Sequence, residues 1–220
     1  MKGKVGALIL FMLVFAASRI PGMLSADLAN FSAAYALMFC AGVYLSKTTA
    51  WWLPLTAMLL TDIGLNFYYS EVKGWDVWTL SQLSHQAFNY AAYAVMILLG
   101  RRFKPQSSFS SLLGGGLLSA LLFYFITNTA SWLFNPFNNP EYTKTFLGWL
   151  TALIKGTGGW PDTWQFFRNT LLSGGLFTAL FVGAMKYSSA AESAREKEAP
   201  EKTESDPEEE PEPQPEEAKA

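Results

Sequence analysis

Residues 51–69 read WWLPLTAMLLTDIGLNFYY. Eighteen of the nineteen carry no charge, and the exception, Asp62, lies near the far end of an apolar helix candidate. Asn66 follows at i+4, so both side chains share one helix face. An ionised carboxylate in hydrocarbon costs several kcal/mol unless it finds a partner or water. Asp62 therefore marks one of two things: a structural hydrogen bond to a neighbouring helix, or part of a ligand or ion site, the use to which intramembrane acids lean.

The flanking sequence repeats the pattern. Charge-free runs occupy Leu28–Ser46, Val77–Gly100, Pro105–Pro140 and Asn169–Met185, and a membrane span needs about 20 predominantly apolar residues. Charged residues make up 15% of the 220, well below the usual one-quarter. They are also segregated. Ser188–Ala220 holds twelve acids and four bases, leaving six acids and twelve bases for everything before it. The overall −2 thus averages a basic, apolar body and an acidic tail. These features predict an all-α, polytopic membrane protein with a six-helix transmembrane domain over residues 1–187. The tail, 188–220, has five prolines and no aromatic residue, too little apolar surface to offset the entropy of ordering, and is expected to be disordered and cytoplasmic.

The helices are expected in this order. Val5–Ala17, behind MKGK and before Arg19, forms the first. It also reads as a secretory signal, but retention is preferred because a membrane-embedded body follows. Pro21 and Gly22 break it, and Asp27–Ser46 forms the second, with Cys40 as a small core residue. Trp51–Tyr69 is the third, with Pro54 in its first turn, where a missing N–H costs little. Ser84–Gly100 and Ser111–Leu133 are the fourth and fifth. In the long connection 134–168, Phe146, Leu147, Trp149, Leu150, Leu153 and Ile154 keep helical spacing and predict a short amphipathic helix. The sixth runs from about Arg168 to Tyr187, where Gly175, Ala179 and Gly183 form a stripe of small residues suited to close packing.

With six spans both termini share a side. Lys2, Lys4, Lys47, Arg101, Arg102, Lys104 and Lys186 fall there in short segments, which places the termini in the cytoplasm. Every helix then keeps its polar residues toward the outer side. Asp62 with Asn66, His85 with Asn89, Asn128 with Trp132, and Arg168 with Asn169 are expected to converge on one outward-facing ligand cavity beneath long loops. Asp62 and Arg168 are the expected charge pair, since a charge buried alone would cost several kcal/mol.

The stretches NFSAAYALMFCAGVYL, LPLTAMLLTDIGL, FYFITNTASWL, YTKTFLGWLTALIKG and WQFFRNTL occur in that order. Together they resemble a family of uncharacterised bacterial integral membrane proteins described as candidate transport proteins. That family is similar to the substrate-binding S components of energy-coupling-factor transporters, which take up vitamins and metal ions. The likeness covers roughly residues 30–181. It implies an S-component-like bundle in the bacterial inner membrane, an unknown vitamin-like ligand, and an energising module of a coupling subunit plus ATPases. The chain departs from the pattern at Gly174 and Gly175, where an acid is expected after Asn-Thr-Leu, and Val5–Ala17 lacks the alanine stripe that docks the energising partner.

No phosphate loop is present, since Gly114-Gly115-Gly116 lacks its Lys-Ser/Thr partner. Metal-ligand spacing, a cofactor motif and a paired-carboxylate centre are likewise missing from the sequence. The expectation is a non-enzymatic uptake subunit with no metal, cofactor or nucleic-acid partner. The alternative is a non-transporting membrane scaffold or assembly protein that uses the small-residue stripe and the acidic tail.

Overall fold

The computed structural model describes residues 2–198, which form only helices and their connections. In order these are α1 (Lys2–Ser18), α2 (Ile20–Leu24), a 3-10 turn at Ala26–Leu28, α3 (Ala34–Tyr44), α4 (Thr49–Glu71), α5 (Leu80–Gly100), α6 (Phe109–Phe134), α7 (Phe146–Ile154) and α8 (Thr163–Glu198). Three starts carry a side-chain cap of the kind that satisfies an orphan N–H. Thr79 Oγ1 accepts from Gln82 N at 3.2 Å, Ser108 Oγ from Ser111 N at 3.2 Å, and Thr145 Oγ1 from Gly148 N at 3.1 Å.

The centre of the bundle is α3. All its residues but Tyr44 are buried, and α4, α5, α6 and α8 surround it. Glycine permits the closest of these approaches. A Cβ on Gly100 would lie 2.1 Å from Phe39 O, and one on Gly42 2.3 Å from Ile97 O. Removing both Cβ atoms lets the α3 and α5 backbones touch, as small residues do at helix crossings. Phe11 of α1 packs on Phe181 of α8, ring centroids 4.0 Å apart. Cys40 is fully buried in this core.

Two helices, α6 and the α8 stretch Thr163–Ala194, are long and apolar enough to cross a membrane. The outer faces are apolar as well: Leu59, Leu60 and Phe67 on α4, Leu118 and Phe125 on α6, and Leu172, Leu176 and Leu180 on α8 are all exposed. An exterior this apolar on several adjoining helices is not how a water-solvated surface is built.

Several boundaries differ from the sequence reading; α5, for one, starts at Leu80 rather than Ser84. The second helix begins at Ala34 rather than Asp27, because the chain from 19 to 33 folds back on itself. Asn30 takes a left-handed φ of 63°, Ala33 N donates to Ser18 Oγ at 2.8 Å, and Ala34 N to Ser32 Oγ at 3.1 Å. At 11 residues α3 is about 16 Å long, half a bilayer core. Pro54 sits in the second turn of α4, which starts earlier than expected, at Thr49. The last helix begins at Thr163 and continues through residues 188–198, the start of the expected tail, where Ala, Glu, Lys and Arg favour helix. Residues 199–220 lie outside the described residues. The small-residue stripe serves as a packing face only in part: a Cβ on Gly175 would lie 3.0 Å from Leu117 Cδ2, one on Gly183 would meet nothing within 4 Å, and the tighter approach is at Gly174, where a Cβ would lie 2.7 Å from Ala120 Cβ. The amphipathic helix does form, as α7, with Gly148 and Ala152 buried against α6 and Phe146 and Leu147 exposed.

Candidate functional site

The two ends of the bundle differ in chemistry. At one, Arg101 Nη1 donates to Lys47 O at 3.4 Å and Lys186 Nζ to Ser107 O at 2.7 Å, so the basic residues of three chain segments gather there. At the other end α6 stops, α5 and α8 start, and the connections on either side of α7, residues 135–145 and 155–162, fold over the gap between them. A cavity of about 480 Å³ opens there, within the range of small-molecule sites. Gln82 and His85 of α5, Thr127, Asn128 and Ser131 of α6, and Thr163 and Phe166 of α8 form its walls. Asn30, Phe137, Asn139, Tyr142 and residues 156, 157, 160 and 161 complete it from the connections.

The roof is held by specific bonds. Asn135 ends α6 in the left-handed region at φ 42°, and its side chain brackets Asn139, accepting from N at 2.8 Å and donating to O at 2.9 Å. Trp132 Nε1 donates to Thr143 O at 2.7 Å, and Lys144 Nζ returns to Trp132 O at 2.6 Å. Glu141 Oε1 accepts from Gly158 N at 3.0 Å and ties the segment before α7 to the one after it. That hydrogen bond holds the Glu141 carboxyl below its ordinary range, while burial pushes the Tyr142 phenol up. Gly156 and Gly159 take φ of 79° and 83°, a conformation glycine adopts without steric cost.

Many wall groups have no partner inside the protein. Tyr142 and Thr163 are 9% and 5% exposed, yet neither hydroxyl makes a hydrogen bond within the described residues. Asn128 Nδ2 donates to Tyr124 O at 2.8 Å, which leaves its Oδ1 open as an acceptor. None of these lining groups is a buried atom left without a partner; their donors and acceptors open into the cavity and are free to hydrogen-bond to what fills it.

Of the eight expected site residues, His85 and Asn128 line this cavity. Asp62 and Asn66 do not line it; they belong to a second polar cluster. Asp62 Oδ1 pairs with Arg19 Nη2, and Asp62 Oδ2 accepts from Tyr90 OH at 2.9 Å. Asn66 Nδ2 reaches Gln86 Oε1 at 3.5 Å. The expected Asp62–Arg168 pair is thus replaced by Asp62–Arg19, because the break at residues 19–20 turns the end of α1 toward α4. Arg168 is exposed, 5.9 Å over the Trp164 ring and 3.4 Å from Asn169 Oδ1. Asn169 is buried and fastens the fold-back segment, its Nδ2 donating to Asp27 O at 2.7 Å and Ala29 O at 2.9 Å. Trp132 clamps the roof from outside the cavity, and Asn89 makes no side-chain hydrogen bond within the described residues. Among the described residues no three His, Cys, Asp or Glu side chains gather where they could hold a metal ion.

Gln82, Asn139, Tyr142, Thr157 and Thr163 were not expected. Four lie in or beside connections, where no periodicity marks which side chains turn inward. Gln82, three residues after the Thr79 cap, carries the one signal that helix-start rules could have used.

Neither the curated proteins nor the solved structures include a match to this chain. A family model matches residues 1–197, nearly the whole described body, and the chain therefore belongs to DUF6580, a family of unknown function.

Proposed function

We propose that this protein is a multi-span membrane protein that binds a small molecule in the roofed cavity, as the substrate-binding subunit of an uptake system. The observation that carries this reading is the cavity itself: about 480 Å³, lined by polar side chains whose donors and acceptors open into it, at the end opposite the gathered Lys47, Arg101 and Lys186. The positive-inside rule puts the basic end in the cytoplasm and the cavity outside. In this reading α1, α3, α4, α5, α6 and α8 all lie at membrane depth, a six-helix plan that the charge-free runs and the bases between them support. Helix α3 and the fold-back 19–33 need no lipid contact, since short or irregular backbone is tolerated at membrane depth when buried in protein. A separate energising module would drive release inward, because the chain has no phosphate loop of its own.

Two experiments test this. Reporter fusions after Lys104 and after Lys155 should report opposite sides of the membrane; the same side for both overturns the topology. Protein purified in mild detergent, then denatured, should release a small molecule detectable by mass spectrometry. A Thr157→Trp variant, which fills the cavity from its roof, should release none. Equal release from both, or none from either, overturns the site.

The scaffold alternative rests on the Gly175/Ala179/Gly183 stripe, of which Gly183 faces open space, and on the acidic tail, most of which lies outside the described residues. Nothing else in the bundle favours it, and it predicts no cavity-dependent ligand.

A further inference from the structure

The chemistry of the cavity wall narrows what it holds. No carboxylate, ammonium or guanidinium lines it. An ionised ligand would leave its hydration shell without meeting a countercharge, a cost of several kcal/mol. Two helices begin at the cavity, and helix N-termini favour anions only where their first N–H groups are free. Here three of those groups are taken: Gln82 N donates to Thr79 Oγ1 at 3.2 Å, Thr163 N to Lys155 O at 3.1 Å, and Gln165 N to Asp162 O at 2.9 Å.

The wall instead offers side-chain amides and flat rings. Gln82 and Asn139 make no side-chain hydrogen bond to the described residues, and Asn128 keeps Oδ1 free. An amide presents a donor and an acceptor side by side, the pattern that pairs bidentately with the edge of a nucleobase. Phe137 sits 5.6 Å from the His85 ring, and Trp160 and Phe166 stand elsewhere on the wall. Such rings stack on a planar heterocycle whatever its substituents.

We infer that the cavity takes an uncharged, planar nitrogen heterocycle of the nucleobase or nucleoside class, held at its edge by Asn128 and Gln82 and on its face by the roof aromatics. This rests on the cavity being a ligand site at all, as proposed above.

The test is a binding panel on the full-length protein in detergent, read by thermal shift and titration calorimetry. Adenine, uracil, nicotinamide and adenosine represent the class. AMP and nicotinate are charged counterparts, and glucose and inositol are uncharged polar compounds without an aromatic ring. At least one heterocycle should bind, with its charged counterpart weaker by about 100-fold. Asn128→Leu and Gln82→Leu should each weaken that binding at least about tenfold, the effect of one lost hydrogen-bonded edge, and Gln82→Leu, which breaks no side-chain bond within the described residues, should leave the unliganded unfolding temperature in place. The class is overturned if the charged counterpart binds as well, if only the sugar or inositol binds, if no panel compound binds, or if both leucine variants bind normally. The co-purified molecule separates the two levels of failure. A charged or ring-free compound that Thr157→Trp excludes removes the heterocycle and keeps the site; no co-purified compound in either protein removes the site itself.

Discussion

Replacing Asp62 by Asn removes the only countercharge that pairs with Arg19 among the described residues and leaves the rest of its surroundings in place. The two side chains are 18% and 10% exposed, so neither charge can turn fully to water, and Arg19 Nε is already buried without a hydrogen-bond partner. Losing one partner of a buried ion pair costs about 3–5 kcal/mol, because the survivor is left uncompensated. The partial exposure puts Asp62→Asn near the lower end, about 3 kcal/mol. For a chain of this length that is roughly 6–12 °C in unfolding temperature. Arg19→Gln alone should cost a similar amount. The Arg19→Gln/Asp62→Asn double variant should recover most of the loss, since two neutral amides can hydrogen-bond to each other. Tyr90→Phe, which deletes one charge-assisted hydrogen bond, should cost about 1.5–3 kcal/mol. The assay is thermal unfolding in detergent, arranged as a double-mutant cycle with Arg168→Gln as the control. Coupling of Asp62 to Arg168 instead of Arg19, or an Asp62→Asn variant as stable as wild type, would refute the reasoning.

Gly100→Ala and Gly42→Ala should each destabilise the protein by at least about 1–3 kcal/mol, because the added Cβ meets backbone oxygen at 2.1 and 2.3 Å, whereas Gly183→Ala, with nothing within 4 Å, should be near neutral in the same unfolding assay. The Glu141–Gly158 bond should be pH-dependent: a carboxyl held below its ordinary 4.5 strengthens the roof contact above that pH and loses it as pH falls through the lower folded value. Exchange of the Gly158 amide hydrogen, corrected for its intrinsic pH dependence, should lose protection on acidification, and Glu141→Gln should flatten that dependence; a pH-independent wild type would contradict it. Asn169→Ala removes two bonds to backbone oxygens of the fold-back and should cost about 1–3 kcal/mol. It should also expose residues 25–30 to limited proteolysis before the rest of the chain unfolds.

Much of this protein was legible in the order of its residues. Apolar runs longer than a soluble helix requires announced an all-α body, and helical spacing from Phe146 to Ile154 announced α7. Segregated bases marked one end as different from the other, and of the pairs His85/Asn89 and Asn128/Trp132 the first member of each lines the cavity at the opposite end while the second does not. These features are local: hydrophobic periodicity and capping act within a few turns, so a linear sequence carries them in full. What the sequence could not decide was which polar groups meet. Asp62 was expected to pair with Arg168, and a break after Ser18 that turns the chain toward α4 brings it Arg19 instead. The depth of α3 was equally hidden, since a helix buried on every side and one facing lipid have the same apolar composition. The cavity wall came mostly from connections, where the inward side of each residue is set by long-range contacts such as Glu141 to Gly158 and Trp132 to Thr143. Such contacts join residues many positions apart, and their geometry exists only once the bundle has closed.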